Sequence, residues 1–243
     1  MISSQTDIEA IKEAIRHLSP AAREEIADWA LNLPVPPRPR VEEPALADGG
    51  RRKLTVEEFL EMEFPEGLRY EYVAGQIFPM PSPLLRHEVI SANLLGHFHN
   101  QLQGGPCRAW SSHTAVRLKV NRDDIVYLPD VMISCGSLTD KELDMQYLTK
   151  PCVVVEVLSA STETIDRREK ALHYRYLPSL EEYLLVAQRS MEVTVMRRSD
   201  GWIPHVLTTS ADVFESRAVE IKVSLAQIYE GAGHGAGDHS SAR

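Results

Sequence analysis

The sequence predicts an α/β sandwich, with a mixed β-sheet flanked by helices. Three features predict it. Amphipathic helical stretches alternate with short β-branched runs. Val153-Val154-Val155-Glu156-Val157-Leu158 is apolar enough for a central strand covered on both faces. Turn signals at Ala74-Gly75 and Asp200-Gly201 mark two hairpins. Hydrophobic residues make up 43% of the 243, which is sufficient for a core and too many for general disorder.

The elements are taken in chain order. Residues 1–31 are expected to form a helical hairpin extension: Ile8, Ile11, Ile15 and Leu18 recur at helical spacing, and Ser19-Pro20 starts a second helix carrying Ile26, Trp29 and Ala30. Such a pair is too small to hold a core alone, so it should pack on the main domain or a partner chain, and a homo-oligomer, a dimer first, is expected. Residues 32–52 read as a linker, because Pro34, Pro36, Pro37, Pro39 and Pro44 favour extended backbone.

The main domain is expected over 53–230. Thr55 caps a short helix, and Leu68 to Phe78 forms a hairpin. A helix from Leu84 to Leu102 carries an apolar stripe of Val89, Ala92, Leu95 and Phe98, and Gly104-Gly105-Pro106 stops it. Strands are expected at Ala115 to Val120, Tyr127 to Ser134 and Cys152 to Leu158, then a helix from Ile165 to Tyr176. Glu182 to Ala187 is a further buried strand, and Met191 to Arg197 with Trp202 to Leu207 forms an edge hairpin. Residues 231–243, mostly Gly, His, Ser and Ala, read as a disordered tail.

Composition excludes several classes. No apolar run reaches the roughly 18 residues a bilayer span needs, and the first residues mix charges with apolar groups, unlike a secretory signal. Cys107, Cys135 and Cys152 are odd in number and form no CxxC pair, so reduced thiols in a cytoplasm are expected. The net charge is −9, from 26 Lys plus Arg against 35 Asp plus Glu, which argues against a broad, sequence-independent grip on nucleic acid. GxGxxG, Walker-type GK[ST], HExxH and GxSxG motifs are all missing.

The chemistry-bearing signal lies in the acids. Asp130 follows Pro129 at the start of an apolar strand, and Glu156 interrupts a valine run. A carboxylate there is costly to bury unless a cation or hydrogen bonds compensate it. If the two strands are neighbours, both acids offer oxygen ligands to Mg²⁺ or Mn²⁺. Asp166, Lys170 and Tyr174 are four apart and share one side of a helix, and Lys170 would orient a water or offset charge on a phosphate. Glu71 and His87 are candidates to complete the cavity. Each has an ordinary alternative: a strand acid is usually at the surface, a lysine on an amphipathic helix is usually solvated, and a histidine near a helix start usually makes a local hydrogen bond.

Several motifs, in order, resemble the Uma2 family: Leu54-Thr-Val-Glu-Glu-Phe-Leu, Tyr70-Glu-Tyr-Val-Ala-Gly, Arg86-His87-Glu88, Leu128-Pro129-Asp130-Val131 and Val154-Val-Glu-Val-Leu-Ser-Ala-Ser-Thr162. That family is similar to PD-(D/E)xK endonucleases. The resemblance implies a restriction-endonuclease-like mixed sheet and a divalent-metal-dependent endonuclease acting on nucleic acid, DNA ahead of RNA. It implies Asp130 and Glu156 as metal ligands, Lys170 as the catalytic lysine, and Glu71 and His87 as polar groups of the cleft. The usual lysine two places after the second acid is absent, since Leu158 stands there, and Lys170 is the implied substitute. Ala160 stands where the family often has Pro, and Gln76 where it has an acid. The alternative is a catalytically silent nuclease-like fold that binds DNA or protein.

Overall fold

The computed structural model describes residues 53–233, together with 13–19, 21, 22 and 26. The chain divides into two units, residues 1–36 and 37–243. In the first, residues 13–16 are helical, and His17 Nε2 lies 3.0 Å from Glu13 Oε1. The remainder of the expected hairpin, the linker over 32–52 and the tail from 234 lie outside the described residues.

The second unit opens with α1, Val56–Glu61, held by a reciprocal cap between Thr55 and Glu58. Strands β1 (Arg69–Val73) and β2 (Gln76–Met80) form the expected hairpin, with Ala74 and Gly75 both at positive φ (52° and 93°). A Cβ on Gly75 would lie 2.9 Å from Lys53 Cβ, so this position demands glycine for space as well as for φ. Helix α2 spans Leu85–Leu102. Its buried side is His87, Ile90, Leu94, Phe98 and Leu102; of the expected stripe Phe98 lies in it, and Val89 and Leu95 pack at its margin.

Next come β3 (Cys107–Ser111), β4 (Ala115–Val120), β5 (Asp123–Tyr127) and β6 (Val131–Cys135). The single strand expected from Tyr127 to Ser134 is two strands in different sheets. Pro129 has no amide to give a ladder, and the chain passes from one sheet to the other at Leu128-Pro129-Asp130. After α3 (Asp140–Leu143) and β7 (Tyr147–Leu148) runs the central strand β8, Pro151–Leu158.

The helix expected over Ile165 to Tyr176 has three parts: α4 (Glu163–Ile165), a π-helical turn (Asp166–Lys170) and α5 (Ala171–Tyr174). Strands β9 (Glu182–Ala187), β10 (Val193–Arg197), β11 (His205–Leu207), β12 (Val213–Glu215) and β13 (Lys222–Ser224) come after it, then α6, Leu225–Ile228.

One sheet runs β2-β1-β5-β4-β7 and the other β11-β10-β9-β8-β6-β3, with β12-β13 a separate pair. The six-stranded sheet is mixed: β8 and β9 are parallel, and β6 pairs antiparallel with β8. Strand alternation sorts its side chains between two cores. Val131, Ile133, Val153, Val155 and Val157 join the core with Ile90, Leu94 and Phe98 of α2. Met132, Val154 and Leu158 join the other, with Tyr127, Tyr174 and Tyr183. Each fully buried valine stabilises the fold by roughly 1.5–3 kcal/mol. The two-residue period therefore puts Asp130 with Met132, and Glu156 with Val154 and Leu158, on one face of the sheet.

Two expectations are corrected. Cys107 and Cys135 are not free thiols: they stand opposite each other on β3 and β6 and form a disulfide. Strand pairing brings them together, which their separation of 28 residues gives no sign of, and the cytoplasmic location expected from reduced thiols loses that support. Cys152 is free and half-buried, with its Sγ 3.7 Å from that of Cys135. The start of the expected tail is also packed rather than solvated, since Ala232 is buried and its carbonyl accepts from Arg86 Nε at 2.9 Å. Among the described residues, no helix is long and apolar enough to cross a membrane.

Candidate active site

The site lies where β6 begins and β8 nears its end. Val131 pairs with Val155, so the antiparallel register sets Asp130 beside Glu156. Asp130 Oδ2 accepts the Val157 amide at 2.7 Å and lies 3.2 Å from His87 Nε2. His87 sits in the first turn of α2, with its Nδ1 3.5 Å from Ser91 Oγ. Burial would lower the pKa of the imidazole, but the hydrogen bond and charge of Asp130 outweigh it and hold the ring above its ordinary value.

Lys170 comes from the π turn and is buried, 2% exposed. Its Nζ lies 2.8 Å from Glu71 Oε1, 3.0 Å from Glu156 Oε1 and 3.2 Å from Asp166 Oδ1. Burial works against the ammonium, yet Glu156, Glu71 and Asp166 reverse that and push its pKa well up. Burial pushes the Glu156 carboxyl well above the usual carboxylate range, against the pull of Lys170. Asp166 shifts the same way for the same reason. Tyr174 Oη donates to Glu156 Oε1 at 2.9 Å, and the Leu128 amide donates to Glu71 Oε1 at 3.2 Å.

His87, Asp130, Glu156, Asp166 and Lys170 line one cleft of about 270 Å³. Glu71 lines an adjoining cavity of about 220 Å³, which shares Asp166 and Lys170. The fold thus gathers all five expected residues. It adds groups that pattern alone did not single out for the site. Arg69, Gln188 and Arg189 line the cleft. Arg69 is two residues before Glu71 on β1, and Arg189 comes just after the end of β9, the strand parallel to β8. Period and strand parallelism are the signals that point to them. Behind Lys170, Tyr127 Oη donates to Glu169 at 2.8 Å, lies 2.6 Å from His173 Nδ1, and presents its ring 5.2 Å from the ammonium. A third strand acid, Glu182, is buried elsewhere and is matched by Arg197 Nε at 2.8 Å.

Among the described residues no three His, Cys, Asp or Glu side chains form a ready metal cage. The donors nevertheless fit a hard divalent ion. Mg²⁺ is commonly held by one or two carboxylates, with water and phosphate supplying the rest. Asp130 makes both its contacts through Oδ2, and Glu156 makes both its hydrogen bonds through Oε1. Each keeps a second oxygen for a cation. Asp166 Oδ1 is buried without a hydrogen bond of good geometry.

Paired strands that bring two acids to one cleft, with a lysine from the following helix, define a restriction-endonuclease-like α/β protein. Known proteins agree with that assignment. The family model described as "Uma2: Putative restriction endonuclease" matches residues 56–227. The chain belongs to the Uma2 family. It is 36% identical over 180 residues to the uncharacterized protein slr1290 of Synechocystis, covering 74% of this chain and 93% of that one. It is 27% identical over 135 residues to sll1609 of the same organism, covering 56% and 75%. The fold is similar to a crystal structure from Anabaena variabilis described as "a putative nuclease belonging to DUF820". The TM-score is 0.61 at 18% identity, covering 74% of this chain and 99% of that one.

Proposed function

We propose that this chain is a Mg²⁺- or Mn²⁺-dependent endonuclease that hydrolyses phosphodiester bonds in nucleic acid, DNA ahead of RNA. One observation carries the reading. Asp130 and Glu156 meet from neighbouring strands beside two more buried acids, Glu71 and Asp166, and Lys170 and His87 bring positive charge against them. A divalent cation would favour the ionised form of these carboxyl groups, which burial disfavours.

Asp130 and Glu156 would hold the ion, which when bound lowers the pKa of a water and offsets charge on the phosphate oxygens. The Val157 amide and His87 fix Asp130, and Tyr174 fixes Glu156. Lys170 lines the cleft and supplies positive charge to the phosphate or to the attacking water. His87 or Glu71 would position that water or hold a neighbouring side chain in place, as His87 holds Asp130. The association expected from the N-terminal hairpin remains part of this reading, with a dimer first.

The test uses the purified full chain with Mg²⁺ or Mn²⁺ on single-stranded DNA, duplex DNA and RNA. Cleavage is expected in the wild type and should disappear in the Asp130→Ala/Glu156→Ala double variant with the fold retained. Undiminished cleavage by that variant, or a wild type that neither binds ion nor cuts any polymer, would refute it.

A further inference from the structure

The lining of the cleft combines two chemistries. Met80, the last residue of β2, and Pro81, Pro83 and Leu84 after it are apolar. Leu84 and Leu85 are 60% and 86% exposed. The adjoining cavity continues this surface with Phe78, Pro79 and Ile165, and its floor is Asp166 and Lys170. An apolar lip beside an acidic centre has no use for phosphates. Two cations share this lining: Arg69, the cross-strand partner of Met80, and Arg189, just past the end of β9. Arg69 is half-buried, and its Nη1 donates to the Ser112 carbonyl at 3.2 Å. Arg189 is exposed, and neither a hydrogen bond nor an ion pair engages it among the described residues.

A paired duplex shows its phosphates outward and hides its base faces. A single cleft lined both by cations and by bare apolar side chains matches a strand whose bases are unpaired. The net charge of −9 agrees, since long duplex binding draws on many phosphate contacts at once. Apolar side chains such as Met, Leu and Pro also hold bases apart where a helix is opened.

We propose that the cleft takes an unpaired nucleic-acid strand, its bases against the Met80–Leu84 lip and its phosphates on Arg69 and Arg189. This deepens the nuclease reading and rests on it, but it is tested through binding. Fluorescein-labelled 12-mers, single-stranded DNA, single-stranded RNA and duplex DNA, are titrated with the full chain in Ca²⁺, and fluorescence anisotropy gives Kd over a range of salt, with a gel confirming that the probes stay intact.

A single strand of DNA or of RNA is expected to bind at least tenfold more tightly than the duplex. Arg189→Ala should weaken that binding at least threefold and reduce the slope of log K against log salt by about 0.7, the value of one lost phosphate contact on a single strand. Leu84→Ser should weaken it by a similar factor with the slope unchanged. Both side chains are exposed, so folding is not at issue. Duplex binding as tight as single-strand binding, no binding of any probe, or indifference to either substitution overturns the proposal. Strand-selective binding without cleavage in Mg²⁺ or Mn²⁺ would instead leave this proposal standing and remove the nuclease reading alone.

Discussion

Lys170 shows at the level of one residue how much the site asks of its surroundings. Its ammonium is buried and has carboxylates at 2.8, 3.0 and 3.2 Å. Removing one partner from a buried ionic cluster costs about 3–5 kcal/mol, because the groups left behind keep their desolvation penalty. Lys170→Met is therefore expected to destabilise the folded chain by that order at neutral pH, and an unchanged urea midpoint would show that the cluster contributes no stability. His87 acts through Asp130, so His87→Ala should reduce metal-supported cleavage roughly 10–100-fold while leaving residual activity. A loss no smaller than that of Asp130→Ala would instead give His87 a direct part in the chemistry. Asp130 and Glu156 stood out in the sequence because acids inside apolar strands are anomalies, while Lys170 was marked by four-residue spacing and, with His87 and Glu71, by the family resemblance. Arg69 and Arg189 were not, since an arginine at a strand end is ordinary. Nor was the Tyr127, Glu169 and His173 network, whose members are 42 and 46 residues apart and meet only once the sheet and helix pack.

At the scale of an element, the π turn of Asp166–Lys170 is the part that periodicity could not show. Apolar spacing predicts a helix across this region, and the four-residue steps give Asp166, Lys170 and Tyr174 one face. A π turn rests on i→i+5 backbone bonds, which leave no mark on side-chain spacing. Such turns commonly arise at functional sites, and here both ends of the turn face the acids. Deleting Arg168 would shorten the segment by one residue and rotate its C-terminal part by about 100° relative to its N-terminal part. The expected outcome is near-native far-UV circular dichroism without the rise in melting temperature that Mg²⁺ is expected to give the wild type. A retained rise would mean that the π turn does not set the Lys170 position. Pro129 is the converse case. Its missing amide was visible in the sequence, but not that the chain would change sheets there and deliver Asp130 to the cleft.

For the molecule as a whole, the cysteines separate local legibility from global placement. Their odd number and wide spacing suggest three thiols, while the pairing of β3 with β6 makes two of them a disulfide that ties the edge strand to the strand beginning beside Asp130. Closing a separation of 28 residues stabilises by roughly 3–4 kcal/mol in the chain-entropy account, so a reductant should lower the unfolding midpoint. Titration with a thiol reagent in denaturant is expected to find one thiol per chain, and three would refute the bridge. The remaining thiol, Cys152, supplies a pH test. Burial pushes its pKa up to about 11, and the thiolate is the reactive form. Alkylation of the native chain should therefore be slow at pH 8 and accelerate as the pH approaches 11. Rapid modification that levels off near pH 8 would show that Cys152 is not held in the half-buried place it occupies beside Cys135 and the Ile133 carbonyl.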